Sequence, residues 1–540
     1  MLYEYCLGKV LTDLADNFVQ WESITIGSYL LGVGVGVWLY PRLRKTSVFD
    51  FLVQVEWLLV TLGLLALPLI WAGHCYYRTL IADYQAVNLG GIRSLSLVLA
   101  SYQCLPLALG LLSGLELAAL LRIAAAYGNL GVFGRLWCCS YLGALAACLL
   151  FTYLVMHGYS LITMVLFASL CNFGVGCGLI LLTNKSFLGS ECRGSRWRFV
   201  PLGILPLIWL ALAVYKDALF QLHLQNIYYN HLELFSTEQG VRALSFWQNR
   251  ASYPLVKRIA SRYQTIDIVP NISWSAPPGW QQQVGKGFRL YLDHHFQFDS
   301  TTEVAYHEIL AHVPSVLLRW QAKKVAVLGG GDGLLVRELL KGGDLRLSLV
   351  ELDPQLLELA RQEPLLALNQ GSLNRPEVEV IADDALHWLR FQQQHFEGIY
   401  MDFPFPYDLN SLRLYSWEFF ALVRRSLLPD KGYVVMDVPL KINTPDFEKA
   451  NKLILSTLQR AGFRSMLGIS HEGESFILAT VNKVTFNLSY EDFGIELGFL
   501  SPQIFHHALA FHPIAAAEQK GGESNSLFKV VMLPFRDLRF

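Results

Sequence analysis

The sequence predicts two unlike parts: a multi-pass α-helical membrane domain, then an α/β domain built on a parallel sheet. Three observations predict this. Apolar runs of bilayer-spanning length crowd the stretch before residue 216, and charged, amphipathic sequence follows it. One segment of the second part, Val325-Ala-Val-Leu-Gly-Gly-Gly-Asp-Gly-Leu-Leu-Val-Arg-Glu-Leu-Leu340, reads as a strand, a tight glycine turn and a helix start. A chain of 540 residues is too long for one core, and 53% hydrophobic against 16% charged residues leans toward a membrane protein. With a net charge of −1, nucleic acid is not an expected partner. All nine cysteines lie between Cys6 and Cys192, in the apolar part. This argues against a disulfide-stapled secreted domain and fits a reducing compartment.

Residues 1–23 carry Asp13, Asp16 and Glu22, which excludes a cleavable signal peptide. Six apolar stretches follow, at roughly 24–40, 52–73, 95–121, 136–156, 159–183 and 199–215. Most reach the ~20 residues a helix needs to cross a bilayer. The sixth is short and holds Pro201 and Pro206, which predicts an interfacial or kinked segment. Basic residues follow the first span (Arg42, Arg44, Lys45), the third (Arg122, Arg135) and the fifth (Lys185, Arg193, Arg196, Arg198). The positive-inside rule places those loops in the cytoplasm. A full sixth span would then put the second part outside, so the sequence reading favours a weak sixth span and a cytoplasmic catalytic domain. Glu116, near the end of the third span, is either functional or a snorkelling partner of Arg122.

Residues 217–261 read as a linker with an interfacial helix. From Arg262 apolar and polar residues alternate, in Tyr263-Gln-Thr-Ile-Asp-Ile-Val, Phe288-Arg-Leu-Tyr-Leu-Asp and Phe296-Gln-Phe. These predict short antiparallel strands around Pro277-Pro-Gly279. A helix over Glu303–Leu318 leads into the glycine strand. Further strands are predicted at 345–353, 378–385, 398–402, 431–437 and 475–480, with helices at 354–362, 385–394, 416–427 and 445–461. Strands alternating with helices predict a doubly wound, Rossmann-like sheet, whose ligands bind beyond the carboxyl ends of the strands. The expected division is 1–216 for the transmembrane domain, 217–261 for the linker and 262–320 for a small N-terminal β subdomain with its lead-in helix. A nucleoside-binding catalytic domain takes 321–485, and a C-terminal extension 486–540.

The chemistry follows from the strand ends. Gly329, Gly331 and Gly333 form G-x-G-x-G, but Leu334 stands where a dinucleotide fingerprint wants a third glycine. The turn therefore reads as a nucleoside pocket of the S-adenosylmethionine kind, class I methyltransferase-like, with helix N–H groups open to a polar ligand. Asp332, Glu351, Asp384 and Asp402 all sit at strand ends. Asp332 suits the amino group of a sulfonium nucleoside, Glu351 its ribose diol and Asp384 its adenine amino group. Asp402 is left facing the reacting carbon. There a carboxylate can take the proton that an ammonium must lose before it attacks. The sulfonium departs neutral and needs no acid, so the reaction class is alkyl transfer to an amine, driven by alignment and electrostatics. His294-His295 and His506-His507 lack zinc spacing, so no metal is expected. The nucleoside would come and go as co-substrate, with no permanently bound cofactor.

Residues 262–480 resemble the spermidine synthase family of aminopropyltransferases. The matching stretches are Tyr263-Gln264, Leu290-Tyr-Leu-Asp293 with Gln297, Glu303-Val-Ala-Tyr-His-Glu-Ile-Leu-Ala-His-Val-Pro314, Gly329-Gly-Gly-Asp-Gly333, Val350-Glu-Leu-Asp353, Asp384-Ala385, and Leu414-Tyr-Ser with Phe419. The apolar helices resemble the membrane-bound bacterial branch of that family, with Gln20-Trp-Glu-Ser-Ile-Thr-Ile-Gly and Gly114-Leu-Glu116 as matching stretches. By that resemblance the chain begins inside the branch's first helix. The resemblance implies transfer of an aminopropyl group from decarboxylated S-adenosylmethionine to a small amine, by a homo-oligomer anchored in the lipid bilayer. It assigns Gln264, Asp332, Glu351 and Asp384 to the donor, Asp402 to the base, and Gln297, Tyr306 and His307 to the acceptor side. The same site would serve an S-adenosylmethionine-dependent methyltransferase, or a transporter or sensor that binds nucleoside or polyamine without turnover.

Three departures fall on the acceptor side. The family's loop runs Asp-x-x-Asp-Pro, whereas here it is Asp402-Phe-Pro-Phe-Pro406, with Phe405 in place of the second acid. A phenyl ring offers an ammonium only a weaker cation–π contact. The acid pair before the Tyr-His-Glu segment is Thr302-Glu303, and the tyrosine expected around Ile469–Ser475 is missing. The expectation is an acceptor less charged or more apolar than putrescine, unless Glu303, Asp408 or Glu472 reaches its far end.

Overall fold

The computed structural model describes residues 1–15, 18–43, 47–85, 100–126, 130–157, 159–184, 199–229, 253–272, 284–404, 406, 411–438, 445–472, 474–514 and 524–529. The chain forms two compact units. One comprises Met1–Ile259 with Val269–Lys286, the other Ala260–Ile268 with Gly287–Phe540.

The first unit is helical: α1 (Leu2–Ala15), α2 (Phe18–Leu43), α3 (Val48–Gln85), α4 (Cys104–Ala126), α5 (Leu130–Met156), α6 (Leu161–Asn184) and α7 (Val200–Tyr228). Among the described residues, six helices are long and apolar enough to cross a membrane, by length and composition. Helices α2 and α4 pack backbone to backbone. A Cβ on Gly32 would stand 2.2 Å from the Leu107 carbonyl oxygen, one on Gly36 2.1 Å from that of Leu111, and one on Gly114 2.1 Å from that of Val33. Small residues four apart on both helices permit this approach, which a lipid-embedded pair uses in place of hydrophobic drive.

One expectation needs correction here. The sixth span is not short, because α7 runs 29 residues without a break. Pro201 falls in its first turn, where a missing N–H costs nothing, and Pro206 follows soon after. The orientation conflict cannot be relieved by weakening that helix. The N-terminal residues, read only as not being a signal peptide, form α1, which buries Cys6, Leu7 and Leu11 almost completely.

The second unit holds the chemistry. A four-stranded sheet of order β1-β2-β3-β4 (Lys257–Ala260, Thr265–Ile272, Val284–Leu292, His295–Asp299), whose first three strands hold residues of both units, precedes α8 (Val304–Leu318). The main sheet has eight strands: β5 (Lys324–Gly329), β6 (Arg346–Glu351), β7 (Val378–Ala382), β8 (Gly398–Asp402), β9 (Tyr433–Asp437), β10 (Ser465–His471), β11 (Glu474–Thr480) and β12 (Ala510–Ile514). Its order is β12-β10-β11-β9-β8-β5-β6-β7. Strands β5 to β9 pair in parallel, while β10, β11 and β12 close the other edge antiparallel. Between the strands lie α9 (Leu334–Leu340), α10 (Pro354–Ala360), α11 (Leu365–Asn369), α12 (Ala385–Phe391), α13 (Trp417–Arg425), α14 (Pro445–Ala461) and α15 (Pro502–His507).

Alternation along each strand gives the sheet two cores. Ile399, Met401, Val434, Met436 and Ile477 pack under α12, α13 and α14. Tyr400, Tyr433, Val435, Phe476 and Leu478 pack on the other face, under α8 and α9. Strand β5 has β6 on one side and β8 on the other, so the chain order reverses at the end of β5. That switch point is where an open α/β sheet leaves a crevice for ligand. Strands β10 and β12 and the short helix α11 were not expected from the sequence.

Candidate active site

The glycine turn sits in the crevice because nothing larger fits. Gly329 has φ +84° and Gly330 φ +65°. A Cβ on Gly329 would meet the Asp402 carbonyl oxygen at 2.2 Å, and one on Gly331 would meet the Glu351 Cγ at 2.6 Å. The turn is thus wedged between the ends of β8 and β6. The Gly330 N–H donates to the Asp402 carbonyl at 3.0 Å, which ties turn and strand end together. Gly333, at φ +82°, opens α9, and Arg337 N–H donates to its carbonyl at 2.9 Å.

Asp402 ends β8, half-buried. The Tyr306 hydroxyl donates to its Oδ1 at 3.0 Å, and its Oδ2 lies against Gly330. Burial raises its pKa, opposed by the charge of His307 and the Tyr306 hydrogen bond. A carboxylate so raised is a stronger base than one in water. Tyr306 is held by Phe476, with ring centroids 5.1 Å apart, and by His307 at 5.0 Å.

His307 is buried, and its Nδ1 donates to Glu303 Oε2 at 2.7 Å. Burial works against its charged form, but the Glu303 hydrogen bond and the charges of Asp402 and Asp332 prevail, so its pKa rises. Glu303, 3% exposed, is gripped by Arg337 through two parallel bonds, Nη1 to Oε1 at 2.8 Å and Nη2 to Oε2 at 2.9 Å. Arg337 also donates from Nε to Glu338 at 2.8 Å and from Nη1 to the Leu368 carbonyl at 2.8 Å. Glu303 is therefore fully engaged behind His307 and cannot serve an acceptor.

On the donor side, Asp332 accepts from Leu334 N–H at 2.9 Å. Burial in the floor of the crevice and the Asp402 charge push its carboxyl up to about 6. Glu351 accepts from Asp353 N–H at 2.8 Å and is buried, which pushes it up to about 7, with Asp353 and Asp332 adding to the rise. Gln264 donates to Asp353 Oδ2 at 3.0 Å and so sits at the end of β6. Asp384 caps α12, accepting from His387 N–H at 2.9 Å, and its other oxygen pairs with Arg413. Gln297 spends an amide hydrogen on the His295 carbonyl at 3.1 Å. Geometry and charge thus bring together Tyr306, His307, Gly330, Asp332 and Asp402, with Glu351 and Gln264 beside them. Asp384 and Gln297 have other partners. Phe405 and Asp408 lie outside the described residues, and Glu472 is exposed.

One acid was missed by the sequence reading. Asp437 ends β9 just as Asp402 ends β8, and its Oδ1 is enclosed without a hydrogen-bond partner. The signal was available: a fifth strand, 431–437, also ended in an acid. Metal-binding groups of three or more His, Cys, Asp or Glu are absent among the described residues.

Residues 303–457 match the spermine/spermidine synthase domain. The chain is similar to polyamine aminopropyltransferase 1 of Streptomyces coelicolor, 29% identical over 469 residues that cover 86% of this chain and 77% of that protein. It is similar to the polyamine aminopropyltransferase of Leptospira interrogans, 27% identical over 514 residues, 93% of this chain and 89% of that one. Among solved structures, spermidine synthase from Thermotoga maritima aligns with 24% identity and a TM-score of 0.38, covering 47% of this chain and 84% of that chain. Residues 303–457 carry a spermine/spermidine synthase domain, and the chain is similar over most of its length to polyamine aminopropyltransferases.

Proposed function

We propose that the chain is a membrane-anchored enzyme that transfers an aminopropyl group from decarboxylated S-adenosylmethionine to an amine. The observation that carries this reading is the Asp402 carboxylate at the switch point, held by Tyr306 and backed onto the glycine turn. Asp402 takes a proton from the acceptor ammonium, and the freed nitrogen attacks the carbon next to the sulfonium. The N–C bond forms as the C–S bond breaks, and sulfur leaves with the electron pair as neutral methylthioadenosine. Asp332 takes the donor's amino group, Glu351 the ribose diol and Asp384 the adenine amino group, while Gln264 steadies the β6 end. The backbone of Gly329, Gly331 and Gly333 makes room for the nucleoside. Tyr306, His307 and Gln297 flank the acceptor. The six long helices serve as the anchor.

The test supplies the full chain in lipid nanodiscs with donor and a panel of amines. Methylthioadenosine is the expected product. Adenosylhomocysteine from S-adenosylmethionine would indicate a methyltransferase instead, and no product from any amine would sink both enzyme readings.

Donor affinity carries a pH signature. Asp332 and Glu351 are raised, to about 6 and about 7, so both hold protons in the empty site at low pH. Each must be ionised to accept from the donor. Binding is therefore weak below both values, strengthens as pH rises through them and levels off above. By linkage the dissociation constant falls about tenfold or more between pH 5.5 and pH 8. Calorimetric titration across that range checks the sign; a flat profile would remove these two acids from the donor pocket.

A further inference from the structure

The loop that should hold the second acceptor-side acid carries Phe405, yet the sheet places another acid beside the base. Strands β8 and β9 pair in parallel with Met401 opposite Met436, so Asp402 and Asp437 are the next neighbours across the two strands. Strand β11 pairs Phe476 with Asp437, and Glu474 lies two residues away on the same face. Alternation fixes that face. Tyr400, Val435 and Phe476 belong to the core under α8, from which Tyr306 reaches down to Asp402. Asp402, Asp437 and Glu474 thus form a row across three adjacent strands, spanning roughly 10 Å at the usual strand spacing.

Like charges in such a row repel unless a cation lies among them. The charged groups that raise Asp437 are acids, Glu474 and Asp402, opposed by one hydrogen bond from the Val438 backbone N–H, and Tyr306 feels the same three carboxylates. Its Oδ1 is enclosed with no hydrogen-bond partner, a costly state for a carboxylate that no ligand visits. Phe476 of β11, fully buried, packs its ring on Tyr306 with centroids 5.1 Å apart.

We propose that Asp437, with Glu474 behind it, binds the far ammonium of the acceptor and replaces the acid that the catalytic loop lacks. This rests on the aminopropyl-transfer reading above. It reverses the expectation of a less charged acceptor: one amine meets Asp402 and Tyr306, and a second positive group is selected one strand away. Burial and the charges of Glu474 and Asp402 raise the Asp437 pKa.

The experiment uses the full chain in nanodiscs with 1,4-diaminobutane and n-butylamine, read by calorimetry and by methylthioadenosine release. The wild type should bind the diamine at least about tenfold tighter than the monoamine, the scale of one charge-assisted hydrogen bond. Asp437→Asn should abolish that preference through KM for the diamine, while kcat changes far less, and Asp437→Glu should restore part of it. A wild type without preference, or a folded Asp437→Asn that keeps it, overturns the proposal. If Asp437→Asn does not fold, exposed Glu474→Gln replaces it, with a severalfold loss of the same preference expected and an unchanged preference overturning the idea. A diamine preference in binding without methylthioadenosine from any amine would defeat aminopropyl transfer and leave this site standing. Turnover without diamine preference would do the reverse.

Discussion

Replacing Asp402 by asparagine should lower the rate of methylthioadenosine formation about 10²- to 10⁴-fold, the usual worth of a positioned general base. Donor affinity should change little, because the donor's contacts lie on Asp332, Glu351 and the glycine turn. The amide keeps the Tyr306 hydrogen bond and the shape beside Gly330, but it cannot take a proton. Removing the charge also lifts part of the repulsion that raises Asp332, so donor binding at pH 6 should if anything tighten. Single-turnover product formation at saturating donor, beside calorimetric donor binding, separates the two effects. A variant that loses donor binding along with rate would place Asp402 in the donor pocket. A variant with wild-type activity would favour a sensor or transporter in which this carboxylate performs no chemistry.

The parts of this site that were legible in the sequence are those written locally. A valine-rich strand that breaks into glycines announces the turn, and acids at successive strand ends mark the crevice. Both signals lie within a few residues of chain, and the structure gathers Asp332, Glu351 and Asp402 around the turn. Long apolar runs likewise announce helices, although Pro201 and Pro206 misled the reading of α7 because proline near a helix start resembles proline that ends one. What the sequence concealed depends on register or distant pairing. Asp437 counts only once β9 is known to lie beside β8 in phase. The cap that Asp384 makes on α12 is local, but its pairing with Arg413 joins residues far apart in sequence. Strand β12 pairs with β10 across about forty residues, at the antiparallel edge where no repeating strand–helix pattern guides the eye.

The grip of Arg337 on Glu303 is the least legible feature, because Leu-Leu-Val-Arg-Glu-Leu-Leu reads as an ordinary helix with a solvated charge pair. In the folded chain Arg337 is only 7% exposed and four of its hydrogen bonds are directed inward, two of them to Glu303. Arg337→Ala should destabilise the catalytic unit by about 3–5 kcal/mol, since it leaves the buried Glu303 carboxylate with His307 alone among its side-chain partners. For a domain of this size that lowers its melting transition by roughly 10 °C or more. Differential scanning calorimetry of the full chain checks it, and a shift of only a degree or two would mean that water replaces the guanidinium. The double variant Glu303→Gln with Arg337→Met should melt above Arg337→Ala, because it removes both charges and fills the volume. Its activity should nonetheless stay low. Glu303 is also what holds His307 Nδ1 and favours the imidazolium beside Asp402 and Asp332. Without it that positive charge is lost, and the two carboxylates face each other with less to keep both ionised. Stability recovered without activity would show that the Arg337–Glu303 pair is retained for the electrostatics of the crevice and not for the fold alone.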